Sequence, residues 1–187
     1  MNYQSSWRII MNKTEIKVFL ASSSELELER VHIGDFFNDI NSILMDTNIR
    51  IRLLKWEVFD PSFKGERKQT EYDHQVKKSD IFIALFRTLK GKYTIEEINV
   101  AKIAHKEIQK PKELYCFIQD WLEERKFSIE ELKNELGEYF NIVNIKNIND
   151  LKYKIIKILT PFLNENNIPI IETENFIKIN SINILKK

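Results

Sequence analysis

Two hydrophobic periods alternate along this chain, and they divide it into short apolar runs followed by amphipathic stretches. Ile16-Lys17-Val18-Phe19-Leu20-Ala21 is β-prone. After Ser22-Ser23-Ser24, apolar residues recur at three- and four-residue spacing (Leu26, Ile33, Phe36, Phe37, Ile40, Ile43, Leu44), the pattern of a helix with one buried face. Ser24-x-x-Glu27 predicts a capping box at its start. Residues 49–54 (IRIRLL) alternate apolar with basic, which predicts a half-exposed strand at a sheet edge and ends in Trp56-Glu57. The stretch from Asp60 to Thr70 reads as a loop, with a short helix over 71–78. Residues 81–86 (IFIALF) are apolar throughout, as in a central strand covered on both faces.

A helix is predicted from Gly91-Lys92-Tyr93 to about Lys110, with Ile95, Ile98, Ala101 and Ile108 facing inward and Pro111 closing it. A strand over 114–118 follows. Asp120 is placed as the cap of a helix from Trp121, Ser128-x-x-Glu131 as the cap of another, and Gly137 near the end of the latter. A fifth strand is expected over 142–145. The last helix carries Leu151, Ile155, Ile158, Leu159, Phe162 and Leu163, with Pro161 expected to kink or fray its final turn. From Asn164 onward the pattern reads as irregular.

Five β/α repeats with short connections predict a three-layer α/β domain on a five-stranded parallel sheet, doubly wound in the flavodoxin-like manner, because parallel crossovers are right-handed and cover both faces. The expected organisation is an N-terminal extension over 1–14, the α/β domain over 15–163, and a C-terminal tail or linker over 164–187. The composition, 43% hydrophobic and 30% charged, is that of a globular protein and not of a disordered chain. A net charge of +1 gives no field that would draw nucleic acid or an anionic membrane, and no segment reaches the ~20 apolar residues that span a bilayer. The expectation is therefore cytoplasmic, with neither nucleic-acid nor membrane partners. Cys116, the single cysteine, sits in an apolar run and reads as a small core residue. His32, His74 and His105 lie in three elements without ligand spacing, so no metal site and no cofactor is predicted.

In such a sheet ligands bind beyond the carboxyl ends of the strands, which selects Ser22, Ser23, Trp56, Phe86, Arg87 and the segment Tyr93 to Glu97. With four glycines in the whole chain, neither a dinucleotide fingerprint nor a phosphate loop is present. Ser22 and Ser23 are either ligand contacts or helix caps. Trp56 is either a stacking surface or a core aromatic, and Arg30 and Arg87 are either pyrophosphate partners or solvated arginines. Thr94-x-x-Glu97 predicts a second capping box, in which Glu97 complements the helix dipole from the first turn. The same first-turn position would hold Glu97 ionised, and a fixed carboxylate can stabilise or attack the sugar carbon of an N-glycosidic bond. Nicotinamide in NAD is a cationic leaving group, so no partner acid is needed. Glu96 offers a competing carboxylate, about 100° away around the helix.

Lys17-Val18-Phe19-Leu20-Ala21-Ser22-Ser23, Trp56-Glu57, Ser79 to Phe86 and Gly91-Lys92-Tyr93-Thr94-Ile95-Glu96-Glu97 together resemble bacterial TIR-like domains. The resemblance covers roughly residues 16 to 120. It implies a flavodoxin-like fold and either cleavage of NAD at the nicotinamide bond or self-associating signalling, often in antiviral defence. Tyr93-x-x-x-Glu97-Ile98 is similar to the family's catalytic segment, so the resemblance implies Glu97 as the catalytic carboxylate. It also implies NAD as substrate and not as cofactor, a homo-oligomer, and a fused or associated sensor domain. The same segments look similar to nucleoside deoxyribosyltransferases, which also attack the anomeric carbon, although Leu89 to Tyr93 departs from their Asp-Ser-Gly pattern.

Overall fold

A computed structural model of the chain describes residues 13–55, 66–119, 126–173, 176–180 and 182–186. Five parallel strands, β1 (Thr14–Ser22), β2 (Ile49–Leu54), β3 (Ile81–Phe86), β4 (Glu113–Gln119) and β5 (Asn141–Ile145), form one sheet in the order β2-β1-β3-β4-β5. This is the doubly wound, flavodoxin-like arrangement expected from the pattern. β3 is its centre and is buried at all six positions, whereas β2 is an edge whose Arg50 and Arg52 stay exposed.

Alternation along the strands splits the core into two clusters, one on each face. Ile16, Val18 and Leu20 of β1, with Ile81, Ile83 and Leu85 of β3, pack under α1 (Glu27–Ile43) and α5 (Ile148–Glu165). Phe19, Ala21, Phe82, Ala84 and Phe86 point the other way, toward α2 (Glu66–Lys78), α3 (Lys92–Ile108) and α4 (Ile129–Leu136). Phe19 stacks on Phe82 at 5.6 Å, and Phe140 meets Phe82 edge-on.

Several local expectations are corrected. Ser24 opens a 3-10 turn, and α1 starts at Glu27 with Leu26 as its N-cap, so the first capping box does not form. Helix α2 begins at Glu66, inside the stretch expected to be a loop. Ile108 is 57% exposed because the buried stripe of α3 ends at Ala104. Helix α5 runs through Pro161 for another turn, since burial of Leu159 and Leu163 on either side outweighs one lost backbone hydrogen bond. The segment after Asn164 is not irregular. It forms three antiparallel strands, β6 (Ile170–Glu172), β7 (Phe176–Ile179) and β8 (Ile182–Lys186), and its Ile168, Ile177 and Ile179 join the α1/α5 cluster. Tyr153 and Lys157 of α5 bond Glu172 across this join. The Ser128 capping box and the Gly137 cap of α4 are present as expected.

Among the described residues no helix is long and apolar enough to cross a membrane, and no group of three or more His, Cys, Asp or Glu residues could hold a metal ion.

Candidate active site at the carboxyl rim of the sheet

The strands end where the sequence places its candidates, and the sheet then divides them between its two faces. Ser22 and Arg87 continue the alternation that faces α1. Arg30, a fully buried α1 residue, donates from Nη1 to Ser22 Oγ at 2.9 Å and to the Ser23 carbonyl at 2.8 Å. The Arg87 guanidinium pairs with Glu29 at 3.0 Å and also donates to the Glu25 carbonyl. Both arginines are thus held by α1 and the loop before it, not solvated. Phe86 lies on the opposite face, has no exposed surface, and packs against Phe127 at 5.8 Å. Trp56, Glu57, the Asp60 to Gly65 stretch, the helix expected from Trp121 and residues 1–12 lie outside the described residues.

Glu97 is on the α2/α3 face. Helix α3 starts at Lys92 with Gly91 as N-cap and no side-chain cap, so the Thr94/Glu97 box does not form and the first turn carries no acid. Glu97 lies one turn further in. Thr94, Glu97, Ile98, Ala101 and Ala104 are the buried residues of α3, which places a carboxyl group within the stripe that binds the helix to the sheet. Glu96 points elsewhere: its side chain is 40% exposed and pairs with Lys92 at 3.8 Å. The rotation between the neighbours therefore separates them into one surface acid and one buried acid.

Glu97 retains 7% of its surface and has no hydrogen bond or ion pair among the described residues. The expected ionisation by the helix end is overturned. Burial pushes its carboxyl up to about 8, and the negative Asp73 on α2 and Glu96 add to the rise. Tyr93, one turn earlier, is 66% exposed and sits beneath Lys92 at 5.9 Å. Cys116 is buried in the strand beyond, and burial pushes its thiol up, away from a nucleophile's range.

Ser23 is where the two faces meet. Gly91 packs against it so closely that an added Cβ would lie 3.3 Å from the Ser23 Cα and Cβ and 2.9 Å from Thr94 Oγ1. The start of α3 is thereby seated on the end of β1. Glu25, which the sequence reading did not single out, completes the joint. Its carboxylate accepts from the Thr88 amide at 3.0 Å, the Leu89 amide at 2.9 Å, the Ser23 hydroxyl at 3.1 Å and the Thr88 hydroxyl. Burial pushes the Glu25 carboxyl up, but these hydrogen bonds together outweigh it and the net direction is down. Ser23 is two residues away, but Thr88 and Leu89 lie more than 60 residues on, so no local motif announces the joint. Asp73 was equally hidden, because only the packing of α2 on α3 brings it near Glu97.

A separate cavity of about 360 Å³ opens between α1 and the outer edge of β2, lined by Val31, Asp35, Asn38, Arg50 and Lys55 among others. None of the described sequence-selected residues lines it. Asn41 closes the strand edge there by donating to the Ile51 carbonyl and accepting from its amide, each at 2.8 Å.

No model of a known protein family matches this sequence, and no curated protein does. Among solved structures the chain is similar to the CMP N-glycosidase BcmB of Clostridium botulinum, at 15% identity and a TM-score of 0.47, over 75% of this chain and 98% of that one. It is also similar to the metal-soaked Flv1 flavodiiron core of Synechocystis, at 13% identity and a TM-score of 0.43, over 76% of this chain and 33% of that one.

Proposed function

We propose that this chain is an N-ribosyl hydrolase of TIR-like type that cleaves the nicotinamide–ribose bond of NAD, with Glu97 as the carboxylate that faces the sugar carbon. The observation that carries the reading is the Glu97 carboxyl in the buried face of α3, 7% exposed and with neither a hydrogen bond nor an ion pair to another described residue. Burial beside two other acids, Asp73 and Glu96, disfavours the charged form of Glu97, and acids perturbed in this way cluster at functional sites.

The raised value of Glu97 fits a cationic substrate. In the free protein the carboxyl is mostly protonated at neutral pH. A pyridinium about 4 Å away, at an effective dielectric of ~20, favours the ionised form by ~4 kcal/mol, or ~3 pH units. Substrate binding thus generates the carboxylate that the reaction needs. The C–N bond then breaks with its electron pair going to nicotinamide, which leaves neutral. Glu97 stabilises or traps the sugar cation, and water adds to that carbon and gives up a proton.

The alternative is a self-associating module without catalysis. Its support is Leu28 and Val31, exposed at 72% and 46% three residues apart on α1. One experiment separates the two: nicotinamide release by the purified chain across protein concentrations, beside Glu97→Ala and Glu96→Ala. The hydrolase reading expects release that only Glu97→Ala abolishes. Folded protein that releases none at any concentration, yet associates as concentration rises, would favour the module.

A further inference from the structure

We propose that Glu25 is a positioning residue for Glu97, a latch that fixes the start of α3 against the end of β1; its bearing on catalysis rests on the hydrolase reading above. The geometry is a closed set of contacts. The Glu25 carboxylate holds the two backbone amides of Thr88 and Leu89, in the loop that leads from β3 into α3. It also accepts from Ser23 Oγ, and Ser23 is the residue on which Gly91 rests. One carboxylate therefore bridges the two strand ends whose separation sets where α3 begins. Arg87 backs the arrangement, spanning Glu29 and the Glu25 carbonyl.

Glu97 lies six residues after the N-cap Gly91, about 9 Å along the helix at 1.5 Å per residue, so a tilt or fraying of the first turn is felt at its carboxyl. Nothing polar among the described residues holds the Glu97 side chain in place. Its position is inherited from the backbone that carries it. Losing the Glu25 carboxylate removes a charged acceptor from several donors at once, and among the described residues no other acid accepts from the amides of the loop from Arg87 to Gly91.

The test uses the full chain with Glu25→Gln, Glu25→Asp and Thr88→Val, each checked for cooperative unfolding. Two quantities are read: the titration midpoint of the Glu97 carboxyl by carbon-13 NMR, and kcat and KM for nicotinamide release. The latch predicts that the Glu97 midpoint, near 8 in the parent chain, drops by about one unit or more in Glu25→Gln as water reaches it. It predicts a kcat ~10- to 100-fold lower with KM changed less than ~3-fold, and partial recovery in Glu25→Asp. An unchanged midpoint in folded Glu25→Gln overturns the proposal, as does a moved midpoint with unchanged kcat. Should Glu25→Gln fail to fold, Thr88→Val decides by the same two readings. Should the parent chain release no nicotinamide, the hydrolase reading fails while the titration still decides whether Glu25 positions Glu97.

Discussion

Glu25, at the rim where β1 and β3 end, and Glu97, in the buried face of α3, have opposite surroundings. At the junction of the β1 and β3 ends, Glu25 is met by two amides and two hydroxyls, and its net direction is down. In the buried face of α3, Glu97 is met by Asp73 and Glu96 and is pushed up to about 8. A carboxylate with donors on every side holds the structure together, whereas one among other acids raises the energy of the fold wherever it is ionised. The first is what a scaffold needs, and the second is the pattern of a group kept for a ligand's charge.

The contrast is tested most strongly by stability. Because the folded value of Glu97 is raised above its unfolded value near 4.5, its contribution is intact below that value and is lost as pH rises to about 8. At ~1.4 kcal/mol per unit, the loss across that window approaches ~5 kcal/mol. Glu97→Gln should therefore stabilise the fold by a few kcal/mol at pH 8.5 and hardly at all at pH 5, read from urea midpoints. Glu25→Gln should do the reverse, costing ~1–3 kcal/mol at neutral pH, because charged acceptors are lost from satisfied donors. The Glu25 contribution is present above the unfolded value and fades only as pH falls through its lowered folded value. Equal signs for the two variants would break the comparison.

Kinetics sharpen it further. For a free carboxyl near 8 that substrate ionises, kcat/KM should rise with pH to a plateau above about 8, while kcat levels off at a lower pH. Coincident profiles would mean that the bound cation does not ionise Glu97. A smaller effect is expected at Gly91→Ala. The buried Thr94 hydroxyl must move and the Ser23 contact must give by a few tenths of an ångström, costing ~1–2 kcal/mol and shifting Glu97 along with α3.

The sequence made the sheet legible because burial writes itself locally. The unbroken apolar run 81–86 reads as a central strand and the Arg50/Arg52 alternation as a half-open strand at an edge, and the sheet has both in those places. Ser128 and Glu131 cap α4 as their spacing says, since both partners lie within one turn. The same motif failed at Thr94 and Glu97 because packing on α2 and the sheet claimed those side chains before the helix end could. The tail misled for a related reason: residues 170–186 alternate weakly and mix polar with apolar, so β6 and β7 owe their form to the core they join beside α5. At the site, the sequence singled out Glu97 as a first-turn acid and not as a stripe residue, and its Asp73 neighbour and the Glu25 latch depend on contacts far apart in sequence.

The most direct measurement is the carbon-13 titration of the Glu97 carboxyl, free and with an NAD analogue whose ribose is replaced by an uncleavable carbocycle. The account predicts a midpoint near 8 in the free chain and one lowered by ~3 units in the complex. A free midpoint in the ordinary glutamate range, or one that the bound cation leaves unmoved, would contradict it.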